Sequence, residues 1–224
     1  MNSETKNKVR AIITGATGMV GEGVLRECLN NDEVEKVLVV GRKSCGVSHP
    51  KLTEIIHKDF FDLSPIAEQL KGYNACFFCL GISSVGVSDK DYRRITYDLT
   101  MNFVETILNS EMTFCYISGQ GTNSSEKGRL NWANVKGKTE NDLNKMPFKN
   151  VFAVRIGFLK PDKDAKNTLG MYKFLGWLYP IVRGVSNKYA STLSEVGRAM
   201  IHSVTKDFDK RVLEVRDIIK LGER

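Results

Sequence analysis

The sequence predicts a doubly wound α/β fold, a parallel sheet with helices on both faces. Three observations predict it. Short continuous apolar runs, rich in Val, Ile, Phe and Tyr, recur between residues 9 and 156. They lack in–out alternation, as strands buried on both faces do. Stretches with helical start and stop signals separate them, and the turn after the first run carries three glycines, at 15, 18 and 21.

The elements read in order. Val9–Thr14 is a strand and Met19–Asn30 a helix. Val34–Gly41 is a second strand and Thr53–His57 a third, ending at Asp59. Ser64–Leu70 is a short helix with Pro65 in its first turn. Ala75–Leu80 is a fourth strand, stopped by Gly81. Asp89–Ser110 is a long helix capped near Ser88. Thr113–Ser118 is a fifth strand, Leu130–Lys145 a helix stopped by Pro147, and Val151–Ile156 a sixth strand. The alternation then loosens. Lys160–Lys166 reads as a polar loop and Thr168–Val182 as an apolar, aromatic stretch. Ser194–Val204 reads as a helix, and Val212–Leu221 as a final strand or helix. One domain is expected over 1–224. Its core spans 9–160, and a small C-terminal region, 161–224, completes the sheet and covers the site.

The run Thr14-Gly15-Ala16-Thr17-Gly18-Met19-Val20-Gly21 joins strand to helix. That context makes a glycine run a dinucleotide-binding signal. Gly15 would turn the chain, Gly18 would admit a pyrophosphate, and Gly21 would let the helix pack closely. The helix N-terminus would offer free N–H groups to the phosphates. The fold expected is therefore an NAD(P)-binding Rossmann fold. The ligand would lie where the turns at Gly15, Gly41, Asp59, Gly81 and Ser118 gather.

A preference for NAD normally needs an acid at the end of the second strand, on the ribose 2′-hydroxyl. Here that place is Gly41-Arg42-Lys43, while Asp32, Glu33 and Glu35 precede the strand. Arg42 and Lys43 would attract a 2′-phosphate, so NADP is expected over NAD. Otherwise they are a solvated pair. Asp59 either accepts from the adenine amino group or caps its loop.

Composition narrows the class. The chain has 224 residues, 42% hydrophobic and 26% charged, with no apolar run long enough to span a membrane. Residues 1–8 are polar, so no secretory signal is expected. Five cysteines without such a signal suggest reduced thiols in the cytoplasm. The 33 basic and 26 acidic residues give a charge of +7, spread along the chain. No nucleic-acid motif accompanies it, so no nucleic-acid partner is expected.

These pieces resemble the atypical short-chain dehydrogenase/reductase superfamily. The resemblance rests on Gly15–Gly21, Gly41-Arg42, Asp59-Phe60, Cys79-Leu80-Gly81, Ser118, Lys136-Gly137 and Arg155-Ile156-Gly157. Within the superfamily the chain looks most like the Tat-interacting-protein-type oxidoreductases and their bacterial relatives, labelled nucleoside-diphosphate-sugar epimerases. The resemblance implies NADP(H) held by Gly15, Thr17, Gly18, Met19, Val20, Gly21, Arg42, Lys43, Asp59, Phe60, Leu80, Gly81 and Lys136.

It also implies a catalytic Tyr-x-x-x-Lys pair, in which the Lys holds the nicotinamide ribose and the Tyr moves a proton. Here the pentad is Trp132-Ala133-Asn134-Val135-Lys136. Lys136 matches; Trp132 stands in the Tyr position, and its indole N–H is no workable acid. Ser118 either orients a carbonyl or merely ends its strand. Tyr92 and Tyr97 are candidates for a substitute acid; Tyr116, inside a strand, reads as core.

Other constellations are weak. Cys76-x-x-Cys79 sits in a strand, which puts the two on opposite faces. His49, His57 and His202 form no metal-ligand spacing. Gly170–Gly184 could cover the substrate, form a homodimer face, rest on a membrane surface, or simply pack. The function expected is an NADP-dependent oxidoreductase acting on a small carbonyl or alcohol. The alternatives are an NADP(H)-binding sensor and a sugar-nucleotide epimerase.

Overall fold

The computed structural model describes residues 8–160 and 189–223. The run from Gly170 to Gly184 and most of the Lys160–Lys166 loop therefore lie outside the described residues. Seven parallel strands form one sheet: β1 (Val9–Thr14), β2 (Val34–Gly41), β3 (Leu52–Ile56), β4 (Ala75–Phe78), β5 (Thr113–Gly119), β6 (Asn150–Ile156) and β9 (Val212–Leu213). Their order is β3-β2-β1-β4-β5-β6-β9. β7 (Phe158–Lys160) and β8 (Ala190–Thr192) pair separately.

Alternating side chains on each strand supply two cores. Ala11, Ile13, Val37, Val39, Phe77, Cys115, Phe152 and Val154 face α1 (Met19–Asn30), α5 (Leu193–Thr205) and α6 (Val215–Gly222). Ile12, Leu38, Val40, Cys76, Phe78, Phe114 and Tyr116 face a 3₁₀ turn at Ser64–Leu70, α3 (Leu99–Ile107) and α4 (Asn131–Leu143). Both faces are covered, so the continuous apolar runs were strands of a parallel sheet.

Local signals set most boundaries. Thr192 caps α5 by accepting from the Glu195 amide, with the Glu195 carboxylate returning to the Thr192 amide. The helix thus opens one residue before Ser194. β4 stops at Phe78, two residues short of Leu80. Its partner β1 ends at Thr14, paired with Phe78, and turns away at Gly15. The long helix over 89–110 is three pieces: α2 (Asp89–Arg93), a π-helical turn (Arg94–Asp98) and α3. The segment Val212–Leu221 is both strand and helix, β9 followed by α6.

Candidate functional site

The strand order reverses between β1 and β4, where a crevice must open at the carboxyl ends. A cavity of about 620 Å³ lies there. It is lined by Gly15–Gly18 after β1, Val39–Lys43 at the end of β2, Lys58 and Phe60 after β3, and Cys79–Gly81 after β4. Its size suits a small-molecule ligand.

The glycines carry the geometry. Gly15 has φ +70°, and a β-carbon there would come 2.6 Å from the Cys79 carbonyl oxygen. A β-carbon on Gly21 would overlap the Gly15 carbonyl, so α1 packs directly on the turn. Gly18 is exposed, its amide bonded to the Gly15 carbonyl at 2.9 Å. Gly18 heads α1 without a side-chain cap, so the first-turn amides of the helix need another acceptor. A pyrophosphate at this turn fits that need. Met19 is buried in the core beneath α1, and Val20 packs against it, rather than lining the cavity.

The far end of the cavity is cationic. Arg42, Lys43 and Lys58 line it, and no carboxylate among the described residues does. Arg42 and Lys43 are exposed, without an ion-pair partner among the described residues. Lys58 was missed from sequence. It follows β3 at the same sheet end as Gly41–Lys43, and that adjacency was the available signal. Asp59 caps its own loop, accepting the Phe61 amide at 2.8 Å, while its neighbours Lys58 and Phe60 line the cavity.

A second group gathers at the end of β5. Lys136 Nζ donates to the Ile117 carbonyl at 3.2 Å and stands 5.1 Å above the Tyr116 ring. Burial pushes its ammonium down to about 8, against a weaker upward pull from Glu140. The Trp132 indole lies over the turn after β5, where a β-carbon on Gly121 (φ +90°) would sit 3.4 Å from Cη2. Ser118 is 1% exposed, its Oγ 3.0 Å from Thr122 Oγ1. Thr122 gives its own proton to the Gly119 carbonyl at 2.8 Å, so Ser118 donates to Thr122.

Tyr97 is not brought to this group. Its hydroxyl donates to Asp142 at 2.7 Å, and the cations of Arg93 and Lys138 stand over its ring. Burial, then the Asp142 hydrogen bond, raise its pKa. Tyr116 is 2% exposed and Tyr92 3% exposed, and burial raises both. Arg155, at the end of β6, forms a bidentate pair with buried Glu140 and a further pair with Glu214 at 3.1 Å. All five cysteines are free thiols. Among the described residues no His/Cys/Asp/Glu group gathers as a metal set, and no helix is long and apolar enough to cross a membrane.

Known proteins resemble this chain over most of its length. HTATIP2 of Rattus norvegicus is 23% identical over 216 residues, which is 94% of this chain and 88% of that protein. The mitochondrial protein FMP52 of Debaryomyces hansenii is 24% identical over 198 residues, 86% of each. Among solved structures, the Helicobacter pylori ADP-L-glycero-D-manno-heptose-6-epimerase matches with TM-score 0.68 and 14% identity, over 99% of this chain and 83% of that one. The Bordetella bronchiseptica enzyme WbmG in complex with NAD matches with TM-score 0.69 and 10% identity, over 99% and 79%. These two likenesses speak for the fold. A family model for the NAD dependent epimerase/dehydratase family matches residues 11–131. That span is more than half of the 224 residues and contains the glycine turn and the cavity lining, so the chain belongs to the NAD dependent epimerase/dehydratase family.

Proposed function

We propose that this protein binds NADP(H) in the β1–β4 crevice and reduces a small carbonyl, as an atypical short-chain oxidoreductase. One observation carries the cofactor reading. Arg42, Lys43 and Lys58 line the cavity that holds the Gly15–Gly18 turn, with no carboxylate among the lining residues. A 2′-phosphate there meets cations and, among the described residues, no carboxylate, and an arginine can bond it through two N–H groups. Bound in this way, the reduced dinucleotide supplies a hydride. Lys136 holds the nicotinamide ribose, and Trp132 walls the substrate side. Leu80 and Gly81 border the cavity, and Ser118 stiffens the turn after β5 through Thr122. The thiols support a cytoplasmic setting, although FMP52 relatives carry a mitochondrial designation.

The test is fluorescence titration with NADPH and NADH. Arg42→Ala should weaken NADPH by about tenfold or more and NADH by less than about twofold. Equal weakening of both overturns the NADP preference.

A second reading is a sensor that binds NADP(H) without turnover. Trp132 in the tyrosine position and the committed Ser118 proton favour it. NADPH binding without consumption across a panel of aldehydes, ketones and quinones would decide for it.

A further inference from the structure

We infer that Lys136 is the proton donor to the substrate oxygen, an ammonium serving where the residue one turn earlier offers no acid. The inference rests on the oxidoreductase reading above and names the group that completes it.

Among the described residues, geometry leaves few other donors. Trp132 has only an indole N–H, which does not release its proton near neutral pH. The Ser118 hydroxyl is buried and spends its proton on Thr122. The Tyr116 hydroxyl lies in the core beneath α4, and Tyr92 is buried beside it. The Tyr97 hydroxyl is bonded to Asp142, one helical turn and more beyond Lys136. Lys136 differs from all of these. It is half-buried, and one N–H goes to the Ile117 carbonyl, which holds Nζ at the carboxyl end of β5. An ammonium carries three N–H bonds. Two therefore remain, one for a ribose hydroxyl and one for a carbonyl oxygen.

The surroundings suit a proton that leaves and returns. Tyr116 presents a ring face from β5, with Tyr92 of α2 near its hydroxyl. Glu140, one turn further along α4, is tied to Arg155 from β6 and does not pair with Nζ. Lys138, Asp142 and Tyr97 bind one another. No carboxylate among the described residues pairs with the ammonium, and burial sets its pKa at about 8. An acid whose pKa lies near the working pH transfers its proton most effectively.

The step balances. The carbonyl carbon gains a C–H bond with the electron pair of the hydride, and the C=O π pair moves to oxygen. One Lys136 N–H bond breaks as the O–H bond forms. The carbonyl becomes an alcohol, the dinucleotide is oxidised, and the neutral amine recovers a proton from water.

Lys136→Arg tests the idea, because arginine keeps the charge and the donors but does not release a proton near neutrality. Wild-type kcat/KM for carbonyl reduction should fall as pH rises through about 8. Lys136→Arg should lose about 100-fold or more in kcat, with NADPH affinity kept within about threefold. NMR of the cofactor-free protein with ¹³Cε-lysine should show one resonance titrating near pH 8, absent from Lys136→Arg. Wild-type kcat in Lys136→Arg, or a Lys136 resonance titrating with the ordinary lysines, overturns the proton role alone. NADPH binding with no reduction of any carbonyl by the wild type overturns the oxidoreductase reading, and this inference with it.

Discussion

The carbonyl oxygen of Asn123 occupies the space that a β-carbon on Gly137 would need. Asn123 also donates its amide to the Ala133 carbonyl at 3.0 Å and its side chain to Asn134 at 3.1 Å. The loop after β5 is thereby clamped onto the helix that carries Trp132 and Lys136. Gly137→Ala should overpack this contact and cost about 1–3 kcal/mol, read as a lower urea midpoint. An unchanged midpoint would mean that the loop can yield.

The pair between Arg155 and Glu140 should matter to folding. Glu140 is 2% exposed, so Arg155→Met would strand a buried carboxylate at a cost of about 3–5 kcal/mol. Adding Glu140→Gln should recover most of that loss in a double-mutant cycle. Additive losses would show that Glu214 and Ser124, the other partners of Arg155, dominate.

Asp142 makes a pH-dependent contribution. Desolvation raises its pKa, but hydrogen bonds from Lys138, Lys145 and Tyr97 outweigh it and hold the carboxyl below the usual range. The folded pKa is thus below the unfolded value of about 3.9. The stabilisation is present above that pH and is lost as pH falls through the folded value. Asp142→Asn should lower stability by about 1 kcal/mol at pH 7. Thermal melts should show the gap from wild type narrowing below about pH 4; a gap that holds at lower pH would contradict the assignment.

Trp132→Tyr places a phenol where the family resemblance expects one. The phenol is smaller than the indole it replaces, which lies over the glycines at 119 and 121. Carbonyl reduction should rise by about tenfold or more, within the range of general acid catalysis. No gain, with NADPH binding intact, would show that more than the tyrosine separates this site from its relatives.

That the glycine turn and the basic pair at 42–43 lie at one end of the sheet was legible, because turn conformation and strand order are written locally. Lys58 was not legible as a cavity residue. Its strand is short and half-buried, and only the pairing of β3 with β2 brings its end beside Arg42. The end of β4 falls two residues before its apolar run ends for a related reason. Cys79 and Leu80 are apolar enough for a strand, but β1 turns away at Gly15, and the Leu80 amide bonds the Thr14 hydroxyl instead of a ladder carbonyl.

The sequence by itself determined the alternation of strands and helices, the glycine turn after β1 and the absence of a tyrosine four residues before Lys136. Those follow from periodicity, glycine placement and residue identity, which need no long-range contact. Only the tertiary structure decided what the remaining polar groups do. It bonded Ser118 to Thr122, carried Tyr97 to Asp142, and set Lys136 over Tyr116 with N–H bonds to spare. The physical reason is that a side chain's proton goes to the nearest acceptor in space, and packing, not spacing along the chain, chooses that acceptor.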